Sequence, residues 1–237
     1  MALATGMYGL EIAPVGARDL RALETRVMTA VWGCTRRARA KEIFFAVPMK
    51  GHGLLPIMRH QYQVVAWLIR VAQTPGSLQV AVHAVWETSD GCPPPLGPVG
   101  MVKRVLTRLG WSPLGWWWRW QVPGIPGPVC LATGSPAELM DCVRESMRES
   151  ALRDLEERKP RQFGGMGGKV ARALVLDYLA RLGKPIRQSL LMGCLSGAVW
   201  TVDRAHRMKL RGSPQCPYCG VPGLAEDEDH MFWACEA

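Results

Sequence analysis

Apolar residues recur at helical spacing along most of this chain. Leu20, Leu23, Val27, Ala30 and Val31 share one face of a helix predicted over 17–32. Pro56 suits a first helical turn, and the segment IMRHQYQVVAWLIRVAQ after it is apolar nearly all round, which predicts a deeply packed helix. LQVAVHAVWE is assigned a helix presenting Leu78, Val82, Val85 and Trp86, and a shorter one follows with Val102, Val105, Leu106 and Leu109. EIFFAV is too brief to separate a strand from the start of a buried helix. Beyond residue 135, Leu139, Val143, Met147, Ala151 and Leu155 form a stripe behind Ser135-Pro136-Ala137-Glu138, which has the form of a capping box with proline in the first turn. Further helices are predicted over 169–182 and 185–209, divided by Gly183 and Pro185.

Two stretches break this pattern. GCPPPLGPVG at 91–100 excludes helix where its three prolines stand. In GWSPLGWWWRWQVPGIPGPV, tryptophans 116 to 118 and Trp120 lie between glycine and proline turns, the signature of a strand or hairpin arm. An aromatic strand carrying Arg119 is able to stack bases, as single-strand binders do; a strand buried against neighbouring helices has the same sequence. The expected fold is therefore mainly α, with a short Trp-rich hairpin or strand in the middle and a small C-terminal knuckle bearing Cys and His residues. It divides as a helical region over 1–90, a Pro/Gly/Trp-rich linker with short strands over 91–135, a helical region over 136–212, and a metal-binding module over 213–237.

Charge sharpens that division. The chain carries 29 Lys and Arg against 20 Asp and Glu, a net charge of +9 that points to a polyanionic partner, RNA or DNA. The last 25 residues have no Lys or Arg and five acidic side chains, so their net charge is −5 while everything before them is basic. The apolar run LLMGCLSGAVW is too short to span a bilayer, and the N-terminus has no basic leader. An intracellular location, nuclear or cytoplasmic, is expected, with the eight cysteines reduced or metal-bound.

Catalytic patterns are scarce. The chain has no Asp-Asp pair, no GxSxG elbow and no HExxH helix. FGGMGGK does not satisfy a phosphate loop, because Phe163 stands at the first glycine position and Val170 where Ser or Thr should bind metal. It reads as a flexible joint. The C-terminal segment CPYCGVPGLAEDEDHMFWAC differs in kind. Cys216 and Cys219 have knuckle spacing, Gly220 permits the tight turn, and His230 with Cys235 completes a three-cysteine, one-histidine set suited to one structural Zn2+. Five residues rotate by about 500° on a regular α-helix, so His230 and Cys235 share a metal only if the helix ends or distorts near Ala234. The acidic module repels phosphate, whereas the segment before it carries Arg204, Arg207, Lys209 and Arg211. The expectation is a zinc module that fixes the end of a basic helix, with that helix meeting the nucleic acid. Arg36, Arg37, Arg39 and Lys41 form a second basic candidate.

The order helix, WTVDRAHRMKLRGSPQCPYCG, acidic loop and DHMFWAC resembles the C-terminal region of non-LTR retrotransposon reverse transcriptases. Those proteins carry a Cys-x2-Cys…His-x4-Cys zinc motif downstream of the polymerase, and its ligands correspond to Cys216, Cys219, His230 and Cys235. MYGLEIAPVGARDLRALETRVMTAVWG with KGHGLLP also resembles the thumb and connecting segment after the palm. The likeness is strongest over about 190–235 and weaker over about 7–90. It implies a C-terminal piece of a retroelement polyprotein that binds template or target. Polymerase activity is not expected, since the aromatic-x-Asp-Asp turn is missing. Two alternatives stand beside this reading: a degenerate ribonuclease H segment around Asp90, and a zinc-stapled module whose acidic surface contacts a basic protein.

Overall fold

The computed structural model describes residues 15–32, 40–47, 55–88, 97–199, 201–227 and 230–235. Among the described residues, five helices come first: α1 (Ala17–Trp32), α2 (Lys41–Ala46), α3 (Pro56–Gln73), α4 (Ser77–Thr88) and α5 (Pro98–Arg108). Three short strands follow, β1 (Ser112–Leu114), β2 (Trp116–Gln121) and β3 (Pro128–Cys130). The long α6 (Pro136–Arg158) leads to α7 (Pro160–Phe163), α8 (Arg172–Leu182), α9 (Pro185–Leu195), α10 (Val202–Arg207) and a π-helical turn over His230–Ala234. The mainly helical expectation with a central Trp-rich hairpin describes this architecture.

Helix α3 is the axis of the larger core and packs against α1, α4, α5 and α6. Val64, Val65, Leu68 and Ile69 are buried on it, in keeping with its nearly all-round apolar sequence. EIFFAV resolves as helix α2. On α1 the face differs from expectation: Ala30 is exposed and Glu24 is buried, because its carboxylate accepts a hydrogen bond from Lys41 Nζ. On α4, Val82 and Trp86 are buried while Leu78 and Val85 are exposed. Val85 lies about 100° around the helix from Trp86, which turns it away from the face that meets α3 and α5.

The strands form one antiparallel sheet in the order β1-β2-β3. Trp120 pairs with Pro113 on one side and Val129 on the other. Gly115, at φ 77°, makes the tight turn between β1 and β2, a conformation that suits a residue without Cβ. The four clustered tryptophans divide: Trp117 and Trp120 are buried, whereas Trp116 is 48% exposed and stacks on Trp118 at 4.9 Å. Trp111, Trp117, Trp120, Val122 and Leu131 all belong to the core built on α3 and α6. This stretch, expected as a linker, thus supplies core side chains. Trp111 Nε1 donates to Ser146 Oγ at 3.0 Å and ties the sheet to α6.

Helix α6 bridges two cores. Leu139, Val143 and Met147 enter the larger one, and Leu152 and Leu155 enter a smaller one with Ile43, Val47 and Phe163. Its capping box does not form: Ser135 makes no side-chain cap, and its carbonyl accepts from Leu139 N at 2.9 Å. The glycine-rich joint is held against α6. Gly165 N donates to Glu156 Oε1 at 2.7 Å, and a Cβ on Gly168 would stand 2.9 Å from the Glu149 carbonyl oxygen.

The helix expected over 185–209 is two helices. Gly197, at φ 67°, ends α9, and Thr201 starts α10 by accepting from Arg204 N at 3.2 Å. Thr201→Val removes that cap and is expected to destabilise the α10 region by about 1 kcal/mol. Faster amide exchange at Arg204 checks this, and unchanged exchange there would show the cap to be idle. Among the described residues, no helix is long and apolar enough to cross a membrane.

Candidate metal centre

The C-terminal module is built on two turns. Cys216 and Cys219 flank the first, and Gly220 at φ 64° closes it as the knuckle spacing anticipates. A bridge between Gln215 and Ala225, with Cys216 N donating to the Leu224 carbonyl at 3.2 Å, folds the loop back on itself. Asp227 caps the second turn, its Oδ1 accepting from His230 N at 2.8 Å. That turn is π-helical over His230–Ala234. A π turn bonds residues five apart, so it places His230 and Cys235 on one side where an α-helix would part them. The distortion required by the sequence is the one observed.

Cys216, Cys219, His230 and Cys235 each bring one donor atom, all within 4.8 Å of one another. Cys216 Sγ lies 3.8 Å from Cys235 Sγ, and Cys219 Sγ lies 3.3 Å from His230 Nε2. Four ligands at tetrahedral angles, with metal–sulfur bonds of about 2.3 Å, have sulfur–sulfur edges of about 3.8 Å. The donor set thus fits a single tetrahedral ion, and the sulfurs are far too distant for a disulfide. Burial pushes the Cys216 thiol up, but hydrogen bonds from the Cys219 and Tyr218 backbones, and from the His230 and Cys219 side chains, outweigh it and bring it down to about 7. That shift favours the thiolate that ligates metal. His230 presents Nε2 to the cluster, and its buried Nδ1 has no hydrogen-bond partner.

The module is latched to the segment before it. Asp203 N donates to the Glu226 carbonyl at 3.1 Å, and Glu226 N donates to the Pro214 carbonyl at 2.8 Å. The four basic residues expected on one helix take three different positions. Arg204 donates through Nη1 to the Gly197 and Val199 carbonyls, both at 3.1 Å, tying α10 to the end of α9. Arg207 pairs with Asp203 at 2.8 Å on the same helix. Lys209 and Arg211 lie beyond the helix on an exposed turn, where His206 Nδ1 meets the Arg211 carbonyl oxygen at 3.0 Å. Lys209 has φ 60°, unusual for a residue with a Cβ, and Lys209 N donating to the His206 carbonyl holds it there. Of the second basic candidate, Lys41 pairs with buried Glu24, and its ammonium is held below the usual lysine range by burial. Arg36, Arg37 and Arg39 lie outside the described residues.

A cleft of about 1230 Å³ opens beside α10. Its lining includes six cationic residues against Asp203 and Asp227. Arg161 and Lys169 are exposed on its rim; Arg161 stands in ERKPRQ, which has the sequence of an ordinary solvated helix end, and Lys169 ends the glycine-rich joint. The signal was present as a basic cluster around Pro160, but only the fold brings it to α10. No family model, curated protein or solved structure matches this chain.

Proposed function

We propose that this chain is a non-catalytic module that binds RNA or DNA, of the kind found in the C-terminal region of non-LTR reverse transcriptases. Zn2+ on Cys216, Cys219, His230 and Cys235 acts as its structural staple; when bound, it cross-links the two turns and supplies no reaction step. The observation that carries the reading is the latch between Asp203 N and the Glu226 carbonyl. It joins an acidic, metal-competent module to the start of α10 and so presents Arg207, Lys209 and Arg211 beyond it on exposed backbone. The acidic side chains of the module repel phosphate, so it orients the cationic turn rather than gripping the polyanion itself.

The test is a salt titration of binding to RNA, single-stranded DNA and duplex DNA on zinc-loaded protein. Replacing Lys209 and Arg211 with alanine removes two phosphate contacts and is expected to reduce the log–log salt slope by about 1.4 on single strands and about 1.8 on duplex. An unchanged slope on every nucleic acid would sink this reading. Tyr218, 74% exposed, with Val221 and Leu224 also exposed, supports a second reading in which the knuckle tip docks a protein. Tyr218→Ser weakening a protein contact while leaving nucleic-acid affinity unchanged would favour it.

A further inference from the structure

The cleft beside α10 has a chemistry that the exposed turn lacks. Its walls come from the junction of α6 and α7, the glycine-rich joint, the end of α9 and α10. Its floor is apolar: Phe163 is buried in the smaller core, and Met166, Val170 and Leu195 pack half-buried against that core, leaving part of each side chain accessible. Arg161 and Lys169 stand exposed on the rim, together with Arg207, whose guanidinium is also paired with Asp203. An apolar floor under a cationic rim is complementary to a polyanion that also offers apolar faces.

That description separates the classes of nucleic acid. A duplex stacks its base faces inside and presents phosphates and sugars outward, so it has nothing to lay on an apolar floor. A single strand presents phosphates and unstacked bases together. Strand binders join a positive groove to side chains on which unstacked bases rest, most often aromatic ones; in this cleft the accessible surface is aliphatic, over a buried Phe163. We infer that this cleft is a single-strand site, with phosphates on Arg161, Lys169 and Arg207 and bases against Met166, Val170 and Leu195. The inference rests on the nucleic-acid reading above and adds a location and a strand preference to it. Asp227, which caps the His230 turn, also lines the cleft, so the C-terminal module contributes to its wall.

The experiment uses full-length, zinc-loaded protein and three probes: a single strand of about 12 nucleotides, a duplex of the same sequence, and an abasic strand of the same charge. The single strand is expected to bind at least about tenfold more tightly than the abasic strand, because base contacts to the protein are lost with the bases. Replacing Arg161 and Lys169 together with alanine is expected to lower the single-strand salt slope by about 1.4. Both side chains are exposed, so folding and metal content should be unchanged. Met166→Glu is expected to weaken the single strand and leave the duplex unaffected.

Equal affinity for the abasic strand would overturn the inference, as would duplex binding that responds equally to Met166→Glu. Binding that depends on Lys209 and Arg211 but ignores Arg161 and Lys169 overturns the cleft alone and leaves the nucleic-acid reading standing. Preferential binding of an acidic amphipathic peptide, not displaced by the single strand, assigns the cleft to a protein instead. If no nucleic acid binds at low salt, both readings fall.

Discussion

Changing Cys216 and Cys219 to serine is expected to abolish metal binding at the candidate centre and unfold the C-terminal module, leaving the larger core intact. The expectation follows from how little else holds residues 214–235 together. Among the side chains described there, Cys216, Glu226 and His230 are buried, whereas Pro217, Tyr218, Val221 and Leu224 are exposed, so these four contribute little apolar burial. Structural zinc in such small modules supplies an apparent 10–16 kcal/mol, roughly, of binding free energy to folding. Without two of its four ligands that contribution disappears, and the backbone bonds from Cys216 N and Glu226 N open to water. Metal analysis should find one zinc per chain in the unaltered protein and none in the variant. Amide exchange should rise across 214–227 and 230–235, reach α10 through the lost Asp203 latch, and stay unchanged in α3. Protein purified without zinc, or a variant with unaltered exchange over these residues, would refute this assignment.

The second large effect lies in the tryptophan strand. Trp117→Ala is expected to destabilise the fold by about 3–5 kcal/mol, the range for deleting a fully buried large aromatic side chain. Trp117 is 0% exposed and packs against Trp86 and edge-on against Trp118, with centroids 6.4 and 5.3 Å away. Its indole Nε1 is buried with no hydrogen-bond partner. Trp117→Phe should cost less than Trp117→Ala because it leaves a smaller cavity, while both variants remove the unsatisfied donor. Trp116→Ala, at the preceding residue but half exposed, should have a much smaller effect. Urea unfolding monitored by far-UV circular dichroism distinguishes the three. If Trp116→Ala and Trp117→Ala destabilise equally, the contrast between a buried Trp117 and a half-exposed Trp116 is wrong.

Much of the architecture was legible because it rests on local patterns. The 3.6-residue spacing along α3, α5 and α6 locates three helices that carry most of the larger core, and Pro56 and Pro136 mark where two of them begin. The metal ligands were legible for the same reason, since Cys216 to Cys219 is a turn-sized spacing, and even the need for a distorted helix before Cys235 follows from helical geometry. Where spacing misled, a tertiary partner was responsible. Glu24, about 120° around α1 from Ala30, is buried where Lys41 arrives from α2 to pair with it, whereas Ala30 is exposed. The helix over 185–209 was continuous by composition, yet Gly197 and the Thr201 cap divide it so that α10 can turn toward the module.

By itself, the sequence determined the helical class, the position of the tryptophan hairpin and the identity of four metal-competent side chains, because each depends on residues close together in the chain. The tertiary structure decided which cations remain available. Arg204 is committed to the Gly197 and Val199 carbonyls and Lys41 to Glu24, whereas Lys209 and Arg211 stay on an exposed turn. It also brought Arg161 and Lys169 to the side of Arg207 across one cleft. A charge count treats all of these residues alike. Their difference lies in which carbonyl, carboxylate or solvent each side chain meets, and those partners are set by packing between segments far apart in sequence.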